Sequence, residues 1–92
     1  MKVEFSGQAQ KDIQSIPKQV ALKLGLWVVS VEEIGLELTR KHGGKGLHDE
    51  PLRGNRLGQR SIRLNRSYRA IYSIRKNVIE FVQIEEVNKH DY

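Results

Sequence analysis

The chain has 92 residues, of which 38% are hydrophobic and 29% charged, a balance typical of one small globular domain rather than a disordered segment. The absence of cysteine excludes a disulfide framework and a thiolate metal site. The polar N-terminus lacks the apolar core of a signal peptide, and no apolar run approaches the roughly 20 residues of a membrane span. We therefore expect a single domain over residues 1–92, located in the cytoplasm.

The net charge of +5 is unevenly distributed along the chain. Residues 40–76 contain eleven basic residues and only two acidic ones, a local net charge of +9, whereas the remaining residues carry −4. A basic block of this kind favours a polyanionic partner such as RNA or DNA. The alternative interpretation is a solvated charged surface with no binding role.

The first half of the chain is predicted to form a strand and two helices. Residues 2–5 alternate in polarity and end at a Ser-Gly pair, which indicates a short strand. Apolar residues at helical spacing predict a first helix over residues 8–16. A second helix is expected to begin near Pro17, because proline is tolerated at a helix start. It is predicted to run to about Lys41, where two glycines can end it.

The second predicted helix is unusually rich in apolar residues. Steps of four and three predict one continuous buried stripe, consisting of Val20, Leu24, Trp27, Val31, Ile34 and Leu38. Further apolar side chains widen the surface beyond one stripe: Leu22, Leu26, Val29 and Leu36. We expect the surplus to pack in the core, with the binding of a partner protein as the alternative.

The second half of the chain changes to the period of two that is typical of strands. Residues 45–55 contain glycine, proline and charge without periodicity and are predicted to form a loop. Strands are predicted over residues 60–64, 68–74 and 78–86, the last one in a central position. The order β-α-α-β-β-β favours an α+β fold in which a helical pair packs on one face of a small, mainly antiparallel sheet.

Alternation within these strands predicts which side chains share a face. Arg63 and Arg69 are expected on the face opposite the helices, joined by parts of the preceding loop if it folds over the sheet. Arginine suits the binding of phosphate oxygens because its guanidinium is a fixed cation with forked donors. The alternative for Arg69 is a structural ion pair with Glu85 or Glu86.

The segment GQRSIRLNRSYRAIYSI, followed by a strand and the terminal residues NKHDY, resembles the RelE/ParE toxin superfamily. The order of elements is similar along nearly the whole chain. The resemblance implies a RelE-like fold and a toxin of a type II toxin-antitoxin system, held inactive by a cognate antitoxin. In the RelE branch it also implies an mRNA endoribonuclease that acts at the ribosomal A site. Such enzymes use the RNA 2′-hydroxyl as the nucleophile, without a metal or other cofactor.

The resemblance also implies which residues form the site. Arg69 is similar to the family's arginine in a Tyr-Arg pair, and Arg63 to a basic position on the preceding strand. The terminal His90 and Tyr92 resemble acid/base and positioning groups of some relatives. His48 and Asp91 are weaker catalytic candidates. Other basic side chains are expected to contact RNA phosphates, namely Lys45, Arg53, Arg56, Arg60 and Arg66.

Two other functions remain open from the sequence. The superfamily that the chain resembles also contains ParE-like inhibitors of DNA gyrase, which act by binding rather than by cleaving RNA. A non-catalytic RNA-binding module would also use the basic block. His48 with Asp49 and Glu50 has no spacing typical of a metal site, so no metal is expected.

Overall fold

The computed structural model describes residues 1–43 and 48–87 of the chain. Within them the regular elements are, in chain order, β1 (Lys2–Phe5), α1 (Gly7–Ser15), α2 (Lys18–Ile34), α3 (Leu36–Leu38), β2 (Glu50–Pro51), β3 (Gln59–Arg63), β4 (Tyr68–Arg75) and β5 (Val78–Glu86). A π-helical turn follows α3 over Thr39–Gly43, and a 3-10 turn precedes β3 over Gly54–Arg56. None of the described helices has both the length and the apolar character that crossing a bilayer requires.

The strands form one sheet in the order β1-β5-β4-β3-β2. β1 runs parallel to β5, and the other neighbouring strands are antiparallel. The helices pack on one face of this sheet, which confirms the predicted α+β class and the inner position of β5. We call the other face the open face. Its positions along β3, β4 and β5 include Gln59, Ser61, Arg63, Arg69, Ile71, Ser73, Glu80, Gln83 and Glu85.

The core lies between α2 and the helix-covered face of the sheet. Three aromatic rings meet at its centre, with centroid distances of 5.4 Å for Trp27–Tyr72, 5.5 Å for Trp27–Phe81 and 5.6 Å for Tyr72–Phe81. All three side chains are at most 3% exposed. The burial of three large aromatic side chains contributes a large share of the free energy of unfolding that a domain of this size can have.

A bulge in β5 is fixed by side chains from the N-terminal part of the chain. Val82 is the extra residue at the register shift between β4 and β5. The Ser6 hydroxyl donates a hydrogen bond to the carbonyl of Val82 at 2.8 Å, and the Asp12 carboxylate accepts one from the N–H of Ile84 at 2.9 Å. Ser6 also caps α1 by accepting the N–H of Ala9 at 3.0 Å. These bonds fasten α1 to β5 and satisfy backbone groups that the bulge removes from the ladder.

The second helix is interrupted, so the prediction of one helix to Lys41 was wrong. Gly35 has a φ of 87°, which ends α2 and shifts the phase of the following turn. Because of this shift Leu36 is buried, whereas Ile34 and Leu38 are 46% and 45% exposed. The predicted continuous stripe therefore holds only for its first four members. A glycine within an apolar helical pattern was the available signal.

The surplus apolar residues of α2 do not pack in the core, contrary to expectation. Leu22, Leu26 and Val29 are 66%, 64% and 51% exposed. Of the four residues that were expected to widen the buried surface, only Leu36 does so. The core has one sheet face and a single long helix, which leaves the outer side of that helix without a packing partner in the described part of the chain.

The predicted loop over residues 45–55 contains regular structure that the sequence did not indicate. Glu50–Pro51 pairs with β3 as a short edge strand, and a 3-10 turn begins at Gly54. A strand of two residues is too short to show a period. The predicted turn after β3 is confirmed, because Asn65 Oδ1 accepts the N–H groups of Ser67 and Tyr68 at 2.7 and 2.8 Å.

Candidate phosphate-binding site

Two arginines stand side by side on the open face. Arg63 on β3 and Arg69 on β4 are register partners in the antiparallel ladder, next to the turn that joins these strands. Like charges directly opposite one another destabilise a sheet unless an anion compensates them. Glu85 on β5 is the register partner of Arg69 and provides that anion. Its Oε2 accepts from Nε and Nη2 of Arg69 at 2.9 and 2.7 Å.

A third arginine reaches the same place from the loop before β3. Arg56 donates to Oε1 of Gln59 at 3.0 Å and to Oε1 of Gln83 at 2.8 Å. Its Nη2 also lies 3.7 Å from Oε1 of Glu85. The amide of Gln83 donates to the same Glu85 oxygen at 3.1 Å. One carboxylate therefore lies between two guanidinium groups, with Arg63 beside them.

The loop that carries Arg56 has a backbone adapted to this position. Gly54 and Gly58 have φ values of 63° and 93°, which favour glycine, and the N–H of Leu52 binds the carbonyl of Gln59 at 2.9 Å. Ile71 lies on the open face yet is 0% exposed and is separate from the main core cluster. Its burial is consistent with the loop and the arginine side chain passing over the sheet there.

His48 lies at the β3 edge of this arginine group. Together with Glu50 and Arg63 it lines an open depression of about 380 Å³. His48 is exposed and has a φ of 45°, a backbone region that few residues other than glycine adopt. An imidazole can both accept and donate a proton, so the depression combines an acid/base group with a fixed cation.

Next to His48, Asp49 forms a polar cluster on the helix-covered side. Its carboxylate accepts a hydrogen bond from Nε of Arg60 at 2.7 Å and lies 3.4 Å from Nε of Arg40. The hydroxyl of Tyr72 donates to the same carboxylate and accepts from Nη2 of Arg40 at 3.5 Å. The cluster ties the segment before β2 to the π-helical turn and to the sheet. The structure therefore separates Arg60 from the open face, although this residue was expected to contact RNA.

Tyr72 is expected to titrate late in the folded protein. Burial, and then its hydrogen bond to Asp49, raises the pKa of this phenol from 10.0 to about 12. Because the folded pKa lies above the unfolded one, the contribution of Tyr72 to stability is complete below pH 10 and is lost as the pH rises towards 12. An absorbance titration near 295 nm should show one late tyrosine that Tyr72→Phe removes. A titration in which Tyr72→Phe removes an early component would contradict this assignment.

The structure brings together only part of the predicted site. Arg63, Arg69, Arg56 and His48 lie on or beside one end of the open face. Arg66 is exposed in the turn between β3 and β4, and Arg53 is exposed before the 3-10 turn. Four predicted residues lie outside the described residues, namely Lys45, His90, Asp91 and Tyr92. No pattern in the sequence indicates Arg40, Asp49 or Gln83, because their roles depend on which segments meet in space.

The other end of the open face has a different charge pattern. A second depression of about 400 Å³ is lined by Glu4, Ser73, Arg75, Lys76, Val78 and Glu80. Its two carboxylates are register partners on β1 and β5 and disfavour a phosphate. Over residues 1–43 and 48–87, no group of three or more histidine, cysteine, aspartate or glutamate residues could hold a metal ion. The anion-binding potential therefore lies at the end that carries Arg63 and Arg69.

Comparison with known proteins identifies the fold. YafQ from E. coli strain BL21(DE3) is 22% identical with a TM-score of 0.73, over 92% of this chain and 91% of that one. The YoeB-YefM complex from Staphylococcus aureus is 25% identical with a TM-score of 0.70, over 96% and 98%. The archaeal RelE-RelB complex from Pyrococcus horikoshii OT3 is 22% identical with a TM-score of 0.71, over 96% of both chains.

No family model and no curated protein matches the sequence. The similar solved structures include YafQ, YoeB and RelE proteins and a YoeB/ParE toxin from Agrobacterium tumefaciens. The chain therefore has the fold of the RelE/ParE toxins.

Proposed function

We propose that the chain is the toxin of a type II toxin-antitoxin system and inhibits translation as a ribosome-dependent mRNA endoribonuclease. The observation that carries this proposal is the pairing of Arg63 with Arg69 on the open face, with Arg56 held beside them. Three guanidinium groups and one carboxylate leave an excess of positive charge suited to a phosphodiester. The similar solved structures, which include toxins in complex with antitoxins, support the toxin assignment.

The proposed reaction needs no group beyond the RNA and the protein side chains. The 2′-oxygen of the RNA attacks the adjacent phosphorus, the bond from phosphorus to the 5′-oxygen breaks, and a 2′,3′-cyclic phosphate and a 5′-hydroxyl result. One proton leaves the 2′-hydroxyl and one is delivered to the 5′-oxygen. Arg63 and Arg69 would stabilise the charge that builds up on the phosphate oxygens. Removing one such donor typically costs about 100- to 1,000-fold in rate.

The proton transfers are assigned to imidazole and terminal groups. His48 is one candidate, supported by the depression whose lining it shares with Arg63. His90, with Asp91 and Tyr92, stays a candidate from the sequence, Tyr92 as a group that stacks on a base or orients the phosphate. Lys45, Arg53 and Arg66 would add phosphate contacts around the cleavage site.

The proposed partners follow from the same surface. A cognate antitoxin would neutralise the open face with acidic side chains, since electrostatic complementarity guides such contacts. The second proposed partner is mRNA bound in the ribosomal A site. Because translating ribosomes are in the cytoplasm, the protein would act there.

A cell-free translation reaction tests the proposed activity. We expect the purified chain to stop translation and to generate cuts in mRNA that depend on the ribosome. Intact mRNA together with gyrase-dependent DNA breaks would instead support the ParE-like alternative. Binding of mRNA without any cleavage would support the non-catalytic module.

Glu85 is expected to compete with RNA phosphate for the arginines. Glu85→Gln removes the negative charge between Arg56 and Arg69, so RNA should bind several-fold more tightly and with a steeper dependence on salt concentration. Glu80→Gln is the matched control, because Glu80 lies on the same strand but pairs with the exposed Arg75 at the far end. Fluorescence anisotropy with a short labelled RNA measures both. Equal affinities for the two variants would show that Glu85 does not oppose phosphate binding.

A further inference from the structure

Asp49 lies between two residues whose side chains face the opposite side of the sheet. The Asp49 side chain is 9% exposed and faces the helix-covered side. Glu50 is the register partner of Ser61 on the open face, and it lines the same depression as His48 and Arg63. Because side chains alternate along an extended chain, the contacts that hold Asp49 also direct its two neighbours into that depression.

Three elements hold Asp49 from the helix-covered side. Arg60 on β3 donates to its carboxylate at 2.7 Å and lies 3.5 Å from its backbone carbonyl oxygen. Tyr72 on β4 donates its hydroxyl to the other carboxylate oxygen, which lies 3.4 Å from Nε of Arg40 in the π-helical turn. The ring of Tyr72 is 0% exposed and packs against Trp27 in the core. The core itself therefore anchors both the side chain and the backbone of Asp49.

The backbone of His48 needs an anchor of this kind. Its φ of 45° lies in the left-handed region, which residues other than glycine adopt only rarely. Such a conformation persists when the surrounding contacts hold it in place. The His48 side chain is exposed, whereas the buried contacts of Asp49 begin one residue further along the chain. The anchored Asp49 therefore accounts for a conformation of His48 that local preference does not favour.

We propose that Asp49 is a positioning residue that fixes His48 and Glu50 beside Arg63 for the cleavage reaction, and that Tyr72 acts on the site through Asp49. The inference rests on the proposed function, because it assigns Asp49 a part in that reaction. Asp49 faces away from the open face and makes no contact with a phosphate there. Its loss should therefore change the placement of the neighbouring groups rather than the affinity for RNA.

Cleavage kinetics on ribosome-bound mRNA test this role through the separate behaviour of kcat and KM. Asp49→Asn replaces one accepting oxygen by an NH2 group that faces the hydrogen-bond donors. We expect kcat to fall by about 10- to 100-fold, because misplaced reacting groups are costly. KM should stay within about twofold, since the phosphate-binding arginines are unchanged. Tyr72→Phe should lower kcat less, and adding it to Asp49→Asn should lower kcat no further, because Tyr72 acts through Asp49.

The NMR signal of the His48 ring tests the placement without any cleavage. In spectra of the histidine rings, the signal that His48→Gln removes identifies this residue. It should shift in Asp49→Asn and in Tyr72→Phe. The matched control is Ile79→Val, which shortens a 0% exposed side chain outside the Asp49 cluster and so lowers stability at a distance from the site. This control should keep both the His48 signal and the wild-type kcat.

Three results would overturn the proposal: a His48 signal that Asp49→Asn leaves in place, a rise in KM with kcat unchanged, or an equal loss of kcat in Ile79→Val. A larger loss of kcat in the double variant than in Asp49→Asn would show that Tyr72 acts independently. Circular dichroism at the assay temperature checks folding, and if Asp49→Asn is unfolded there, Tyr72→Phe alone decides. A wild-type chain that cleaves no mRNA would contradict the proposed function, and the His48 signal would still show whether Asp49 fixes this residue.

Discussion

Arg69→Ala should reduce mRNA cleavage by about 100- to 1,000-fold while leaving the fold intact. The guanidinium of Arg69 is one of the two fixed cations that the β3–β4 register places together, and alanine cannot stabilise the charge that develops on a phosphate. The ion pair with Glu85 is partly exposed, with side-chain exposures of 32% and 26%. Its loss should therefore lower the free energy of unfolding by less than about 1 kcal/mol.

The matched control for Arg69 lies on the same strand. Arg75→Ala removes an arginine that is 82% exposed at the opposite end of β4 and should leave cleavage close to the wild-type rate. Both variants should have the circular dichroism spectrum of the wild type. Wild-type cleavage by Arg69→Ala would exclude the catalytic role assigned to this residue. An equal loss in both variants would indicate a general effect of net charge.

Asp49→Ala should lower the free energy of unfolding by about 2 to 3 kcal/mol. The Asp49 side chain is 9% exposed and binds two arginines and the hydroxyl of Tyr72, so its removal leaves three polar groups without their shared partner. The arginines still reach water, which keeps the effect below that of a fully buried pair. For a chain of this length the melting temperature should fall by roughly 10 to 20 °C.

Thermal unfolding of Asp49→Ala is best compared with that of Glu32→Ala. Glu32 is an exposed carboxylate on α2, so its removal should change stability by less than about 0.5 kcal/mol. Asp49→Ala should also impair cleavage at temperatures where it is folded, because the cluster holds the segment that carries His48. A melting temperature equal to that of Glu32→Ala would mean that the cluster does not stabilise the fold.

Four of the five strands, all except β2, and the face of the two central arginines could be predicted from the sequence. Alternation in polarity depends only on local backbone geometry, so the pattern of β3 is enough to set Ile62 and Leu64 opposite Arg63. The same alternation assigns Arg60 to the helix-covered face. The expected contact of Arg60 with RNA did not take this into account.

Other features depend on contacts between distant segments and could not be predicted. Arg56 reaches Gln83 across the sheet only because the loop before β3 folds back over it. The phase shift at Gly35 follows from a single positive φ that the apolar pattern alone did not reveal. The role of Asp49 could not be predicted from periodicity, because its three partners come from separate elements, namely the π-helical turn, β3 and β4.

A substrate in which one 2′-hydroxyl is replaced by hydrogen provides the most direct test of the proposed reaction. Cleavage sites of the wild-type chain are first mapped on an mRNA bound to ribosomes, and the nucleotide on the 5′ side of one site is then made a deoxyribonucleotide. We predict that cleavage stops at that bond alone and continues at the others, since the attacking oxygen is missing there. Undiminished cleavage at the modified bond would contradict a reaction in which arginine charges assist attack by the RNA's own hydroxyl.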